Sequence, residues 1–513
     1  MSGSRVHKSL LNARVNVVFY FLSLFFAFFS RRIFLDCLGA EFIGLTGTLS
    51  NILGYLNLAE LGVGAAISFF LFKPIQQDDK RQICEVVSLY GYLYRLIGLF
   101  ILGAGVVVSL FFPLIFAKEQ LGFGIIYFAY YSILGSALIG YFINYRQILL
   151  TADQKNYLVA IYFQSCNIAK TVIQMALAYR WGNLYVWVAV ELLFGIIACI
   201  ILNWKINREY PWLRSDISRG RVLLKKYPSI LRSTRQVFIH KIKDFVLLRS
   251  DQIMVYAFVS LKMVAYYGNY TLIVTKVLYL FNSALDSVGA GVGNLVAEGN
   301  MRNTMKVFWE LTAIRHFVAG FVVFAIFMLI EPFVALWLGD EYILPRDILV
   351  LLLVFQYIAQ SRGVVDMFNH AHGLYADTWS AWAELIINLT VTIVCGLRYG
   401  IVGILLGKIA STLLIIVVWK PYYLFSSGLH RPVGEYWAGT VRYYIVFAVS
   451  FAAAYMICGL YRFPLDNFLS LSLYAVAVAA TYLAINVPLL CLLCQGARSC
   501  MARLHDYLPF RRK

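Results

Sequence analysis

Charged residues are scarce, at 14% of 513 positions, against roughly a quarter in an ordinary soluble chain. With a mean hydropathy of +0.74, that shortage sets soluble enzymes aside. Acidic residues are the scarcer sign, 26 against 44 Lys and Arg, for a net charge of +18. In so apolar a chain the excess belongs in cytoplasmic loops against anionic membrane lipids, and no nucleic-acid partner is expected. Of the nine cysteines, Cys166, Cys199, Cys395, Cys458 and Cys491 fall inside apolar runs, which argues against a disulfide framework. Cys491 and Cys494 form a CxxC with no second pair nearby, so no metal is expected there. A phosphate-binding glycine loop is missing, as is any nucleophile with a base at readable spacing, so ATP hydrolysis and group transfer lack their parts. Arg5, Lys8 and Arg14 before Val17 to Phe29 look like a signal peptide, but Arg31 and Arg32 stand where a small-residue cleavage site belongs. The segment reads as an uncleaved first helix.

What the chain does have is long apolar runs. Apolar and aromatic residues make up 61% of it, and at ~20 residues per crossing the runs divide into fourteen spans. These lie at approximately 14–36, 42–72, 83–116, 121–147, 157–179, 183–204, 236–260, 266–296, 307–335, 346–370, 378–397, 400–422, 438–459 and 468–494. The expected fold class is an all-α polytopic membrane protein. Lys and Arg test the count independently, because they gather on the cytoplasmic side. With the N-terminus inside, the inner segments hold 28 and the outer connections six, which predicts both termini in the cytoplasm.

Eleven of the basic residues fall between Lys205 and Lys243, the longest polar stretch. It reads as a hinge: residues 1–204 form an N-terminal lobe of six spans, 205–235 a basic cytoplasmic connector, 236–422 a second six-span lobe, and 423–513 two additional helices with a basic tail. Because six is even, the lobes would repeat in parallel orientation about an axis along the membrane normal. Leu38 to Leu45 and Ser260 to Tyr267, at the starts of spans two and eight, form a faint echo of such a repeat.

Polar residues in hydrocarbon are costly, so their helical phase marks the face turned from lipid. Asn12, Asn16, Ser23 and Ser30 share a face of span one, with Arg31 roughly 60° from Asn16. Thr46, Ser50, Asn57 and Ser68 do so in span two, with Glu60 at the edge. Span five stacks Gln164, Asn167, Lys170, Thr171 and Gln174; span seven carries Arg249 and Asp251; span eight aligns Thr271, Thr275, Asn282 and Asp286, with Lys276 adjacent; span ten sets Arg362, Asp366 and Asn369 at i, i+4, i+7. Small and polar residues also glue helices together, and Arg362 with Asp366 is an i, i+4 pair. Charges on several spans nonetheless point to a shared wet cavity. Arg31, Arg32, Arg249, Lys276 and Arg362 outnumber Glu60, Asp251, Asp286 and Asp366. Adjacent guanidinium forks suit a phosphate or diphosphate, so an anionic headgroup is the implied cargo.

Arg31-Arg32, Leu38-Gly39-Ala40-Glu41-Phe42-Ile43-Gly44-Leu45, Leu58-Ala59-Glu60-Leu61-Gly62-Val63-Gly64 and Lys73-Pro74 resemble the opening of bacterial polysaccharide-transporter flippases, within the multidrug, oligosaccharidyl-lipid and polysaccharide exporter superfamily. Leu248-Arg249-Ser250-Asp251-Gln252, Tyr266-Tyr267-Gly268-Asn269-Tyr270, Leu336-Trp337-Leu338-Gly339, Glu384-Leu385-Ile386-Ile387-Asn388 and Gly400-Ile401-Val402-Gly403-Ile404 extend the resemblance down the chain. It implies two six-helix lobes around a cavity, alternating access, and outward flipping of undecaprenyl-diphosphate-linked oligosaccharide in the bacterial inner membrane. The product would feed O-antigen, capsule or exopolysaccharide synthesis, with the polysaccharide polymerase and chain-length machinery as contacts. Carried onto matching positions, Arg31, Arg32 and Arg249 become diphosphate ligands, and Glu60 and Asp251 coupling or gating groups. Lys276, Arg362, Asp286 and Asp366 rest on helical phase.

No cofactor is expected beyond a coupling ion, Na⁺ or H⁺. A multidrug exporter of the same superfamily is the nearest alternative, although an organic cation favours an acidic lumen. A membrane-embedded glycosyltransferase or polymerase is the other, although it should carry a long outer loop.

Overall fold

The computed structural model describes residues 2–60, 63–117, 121–153, 155–228, 230, 250–286, 292, 295–296, 298–374 and 377–507. The described residues are helical and hold no strand, as hydrocarbon requires of a segment that must satisfy its own backbone. Ten described helices are long and apolar enough to cross a membrane. They coincide with the expected spans one, three, four, six and nine to fourteen.

The other four expected spans differ for identifiable reasons. The second is not one helix but α2 (Ala40–Leu56), a 3₁₀ turn (Asn57–Glu60) and α3 (Val63–Gln76). The fifth, Asn156–Trp181, and the eighth, Leu261–Asp286, form helices of 26 residues whose polar stripes lower their hydropathy. The seventh falls largely on residues outside the described ones, which resume at 250.

The chain divides into two compact units, 1–265 and 266–513. In the first, α1 (Ser2–Leu38) packs on Asn156–Trp181, and α4 (Lys80–Leu110) and Leu184–Glu209 both pack on α5 (Phe123–Ile143). The first half of the expected hinge is not a free linker. The Asp216 amide donates to Ser88 Oγ at 2.9 Å, Ser215 and Tyr145 hydroxyls meet at 2.7 Å, and Lys226 Nζ and Tyr227 OH reach Glu85 Oε2 at 2.5 and 2.8 Å. Gly220 lies so close to the Tyr92 ring that a Cβ there would sit 2.1 Å from Cγ. The hydrogen bond from Lys226 to Glu85 holds its ammonium above the ordinary pKa. The segment from 215 to 227 is thus part of the first unit, and the basic residues left on its exposed side include Arg219, Arg221 and Lys225.

In the second unit a 37-residue helix, Met301–Trp337, is the common wall. Against it pack Arg346–Ser361 and the last two apolar helices, Val433–Cys458 and Phe468–Leu493, around Phe324, Ala454, Val478 and Tyr482. Asn486 Nδ2 donates to Ser450 Oγ at 3.1 Å inside that packing, the kind of polar glue that replaces the hydrophobic effect between helices in lipid. Thr378–Tyr399 and Ile401–Ser411 turn on Gly400 alone, at φ +58°. A Cβ on Gly407 would lie 2.1 Å from Thr392 Oγ1, so the two backbones approach as only glycine permits.

Candidate functional site

Glu60 ends the 3₁₀ turn that interrupts the second span. Asn57 opens that turn and glycines follow, a sequence that favours stopping a helix over continuing it. The break aims Glu60 at α4 and α5, where the Tyr94 hydroxyl donates to Oε1 and the Tyr141 hydroxyl to Oε2 at 2.6 Å. Tyr90 packs its ring 4.1 Å from that of Tyr94. Asn57 Oδ1 is buried beside this cluster's turn with no hydrogen-bond partner among the described residues. Among the described residues Glu60 is therefore a carboxylate held by two phenols.

The adjacent pair Arg31 and Arg32 separates. Arg31 is half-buried and its Nη2 donates to the Ala265 carbonyl at 3.1 Å. Arg32 is exposed and lies 3.8 Å from Asp36, its i+4 neighbour. Helical phase accounts for this, since residues one apart point about 100° away from each other. Asp251 is half-buried, and its neighbour Gln252 accepts from Asn51 Nδ2 at 2.5 Å, fixing that segment to α2. Arg249 lies outside the described residues.

The polar stack on the fifth span is a pairing device. Lys170 Nζ reaches Glu191 Oε1 at 2.6 Å, and Gln174 Nε2 bridges Glu191 Oε2 and the Trp187 carbonyl at 3.0 and 3.1 Å.

In the second unit Arg362 Nη1 meets Asp366 Oδ2 at 2.6 Å, where the helix breaks between Arg346–Ser361 and Gly363–Ala371. Asn369, one turn on, is 6% exposed, and neither its amide nitrogen nor its oxygen has a partner among the described residues. The guanidinium of Arg315, itself 6% exposed, lies flat on Gly363: a Cβ there would be 3.0 Å from Cζ and Nη1. Arg315 Nη1 also donates to Asn282 Oδ1 at 3.2 Å. Lys276 is half-buried on the same helix as Asn282. Asp286 ends that helix, and its side chain lies outside the described residues.

Sequence reading missed Tyr94, Tyr141 and Arg315. Arg315 was findable, as the one Arg or Lys within the expected span 307–335. The tyrosines carry no such signal among 35 in the chain. Among the described residues no cluster of His, Cys, Asp and Glu could hold a metal ion.

No sequence-family profile matches the chain. Over 434 residues it is 21% identical to the "Putative O-antigen export protein" of Yersinia pseudotuberculosis, covering 81% of this chain and 95% of that protein. Among solved structures it is similar to the lipid II flippase MurJ in an inward closed conformation, at a TM-score of 0.63 and 14% identity over 91% of this chain and 98% of that one. An inward-facing multidrug-resistance MATE transporter gives a TM-score of 0.60 at 16% identity, over 78% and 94% of the two chains. These relatives are transporters and flippases, not enzymes. With ten described helices long and apolar enough to cross a membrane, the chain is a multi-pass membrane protein, similar in fold to these transporters and in sequence to an O-antigen export protein, and so resembles the polysaccharide-export flippases of the multidrug, oligosaccharidyl-lipid and polysaccharide exporter superfamily.

Proposed function

We propose that this protein flips undecaprenyl-diphosphate-linked oligosaccharide units from the cytoplasmic to the outer leaflet of the bacterial inner membrane by alternating access. The observation that carries this reading is the match to an O-antigen exporter over 81% of the chain. The drug-exporter alternative draws on the MATE likeness, whose TM-score of 0.60 is close to the 0.63 of the lipid II flippase. Fold alone does not separate the two cargoes, and the sequence relative is what supports the polysaccharide branch.

The cationic set proposed for the headgroup is Arg31, Arg32, Arg249, Lys276 and Arg362, to which Arg315 is added. Arg31 Nη2 donates to the Ala265 carbonyl and Arg315 Nη1 to Asn282 Oδ1, and guanidinium forks suit phosphate oxygens. Arg32 and Arg362 also face carboxylates, Asp36 and Asp366, so a phosphate would compete for them. The lipid tail would stay in the bilayer.

Glu60 is the proposed coupling group, with Asp251, Asp286 and Asp366 behind it. Protonation turns one carboxylate oxygen from an acceptor into a donor and replaces charge-assisted phenol bonds by weaker neutral ones, which would loosen α2 and α3 from α4 and α5. Whether the ion is H⁺ or Na⁺, the change is made at the break in the second span.

The test is outward movement of lipid-linked oligosaccharide in inverted vesicles. Arg31→Ala, Arg32→Ala and Arg249→Ala should each slow it at normal expression. Unchanged transport in all three would overturn the headgroup assignment, and transport of organic cations instead would overturn the cargo.

A further inference from the structure

We infer that the second unit carries a phospholipid site, with a headgroup bearing a primary ammonium seated on Glu331 and Arg346 and one acyl chain in the apolar cleft below. The inference does not depend on what the transporter carries.

The site has two neighbouring parts, which share Phe327 as a wall. The deeper is a cavity of about 640 Å³ walled by Val323, Phe327, Val354, Tyr357, Phe447 and Phe451, from Met301–Trp337, Arg346–Ser361 and Val433–Cys458. The shallower, about 270 Å³, shares Phe327 and ends on Glu331, Arg346, Tyr455 and Tyr474. One is almost wholly apolar and the other carries a full ion pair, so together they match an amphiphile. The depth fits as well. From Arg346 to Ile358, the deepest lining residue on that helix, twelve residues at 1.5 Å span about 18 Å, close to the ~15 Å hydrocarbon half of a bilayer. Val350 and Val354 on its wall are 43% and 41% exposed, leaving the cleft open sideways for a chain to enter from the leaflet.

The charges choose the headgroup. Arg346 Nε and Nη2 donate to Glu331 Oε1 and Oε2 at 3.3 and 3.2 Å. That uses one edge of a guanidinium with five donors, on a side chain 71% exposed, beside a carboxylate 22% exposed. A phosphate can take the outer edge of Arg346 while an ammonium reaches Glu331. A phosphatidylglycerol puts only negative charge there, against Glu331. A phosphatidylcholine supplies the positive charge but no N–H to donate.

The full-length protein would be reconstituted in vesicles of equal parts phosphatidylethanolamine, phosphatidylglycerol and phosphatidylcholine with a trace of undecaprenyl phosphate, then extracted gently and its retained lipids counted by native mass spectrometry. Phosphatidylethanolamine should be enriched about fivefold over the other two, the size of one exposed ion pair. Glu331→Gln should bring its ratio to phosphatidylcholine to about one, and Val354→Trp, which fills the open cleft, should remove the phosphatidylethanolamine enrichment. Equal retention of the three headgroups by the unaltered protein, or retention of undecaprenyl phosphate in their place, overturns the inference without any variant having to fold. Enrichment that survives both substitutions overturns the assigned position.

Discussion

The Tyr141 hydroxyl donates to Oε2 of Glu60 at 2.6 Å, tying the break in the second span to α5 while Tyr94 ties it to α4. A carboxylate in this position anchors three elements at once. Any change in its protonation or partners is therefore felt as a change in packing, the property a coupling group needs.

Glu60→Gln keeps the size of the side chain and one acceptor but cannot ionise. Transport in inverted vesicles should fall by about tenfold or more, ~1.4 kcal/mol on the barrier, with normal expression. Tyr141→Phe removes one hydrogen bond to a charged acceptor and should lower unfolding stability in detergent by about 1.5–3 kcal/mol, with a smaller loss of transport. Full activity of Glu60→Gln would remove the residue from the mechanism.

Lys170 and Glu191 test whether a polar stripe is a lumen or a joint. If they are a joint, Lys170→Met leaves Glu191 without its countercharge and should cost about 3–5 kcal/mol, whereas Lys170→Met with Glu191→Leu should be near neutral. Gln174 keeps the Trp187 carbonyl in both variants. Denaturation of the two proteins in detergent gives the comparison, and a double variant as unstable as the single one contradicts the joint.

Composition and hydropathy alone were enough for the fold class, because lipid leaves helices as the ordinary way to satisfy a backbone. What they missed is the interruption at Asn57–Glu60, where the apolar run from 42 to 72 hides a break carried by Asn57 and the glycines after it. The stripe on the fifth span was legible as a stripe and ambiguous in meaning. Phase shows that Lys170 and Gln174 share a face, but not that Glu191 waits opposite them, since partners 21 residues apart leave no periodic trace. Arg362 and Asp366 were legible as a pair because i, i+4 is local. The cage around Glu60 was not, because its donors come from residues 94 and 141, and tyrosine in a membrane helix is usually read as interfacial bulk. The docking of residues 215–227 was not legible for a related reason: the charges there suggest solvent, while Ser215, Asp216 and Gly220 among them hold the segment to the first unit.

Lys155 gives a pH signature on the polar ends of the first unit. Burial opposes its charge, but hydrogen bonds to Asp153 at 2.8 Å and Glu209 at 3.0 Å outweigh that and hold its pKa above the ordinary 10.5. A cation raised above its unfolded value stabilises fully below that value and loses the contribution as pH climbs through the folded one. The stability difference between the unaltered protein and Lys155→Met should therefore be flat from about pH 6 to 9 and shrink above about pH 10.5. Thermal midpoints across that range check it, and a difference that shrinks toward acid would contradict the sign.

Arg315 and Gly363 separate packing from function most cleanly. A methyl at Gly363 would meet the Arg315 guanidinium at 3.0 Å, but that group ends a flexible side chain and can give by a few tenths of an ångström. Replacing glycine near a helix start by alanine also gains up to ~1 kcal/mol of helix propensity. Gly363→Ala should thus leave stability within about 1 kcal/mol of the unaltered protein. If Arg315 serves the headgroup, the same substitution displaces it from the kink and slows transport, and Arg315→Gln, which keeps a donor for Asn282 but no charge, slows it further, by about tenfold. Arg315→Lys should recover only part, because an ammonium restores charge without the planar fork that lies on Gly363. Should Arg315→Gln move lipid-linked oligosaccharide at the full rate with an unchanged thermal midpoint, neither the kink nor the guanidinium on it belongs to the cargo site.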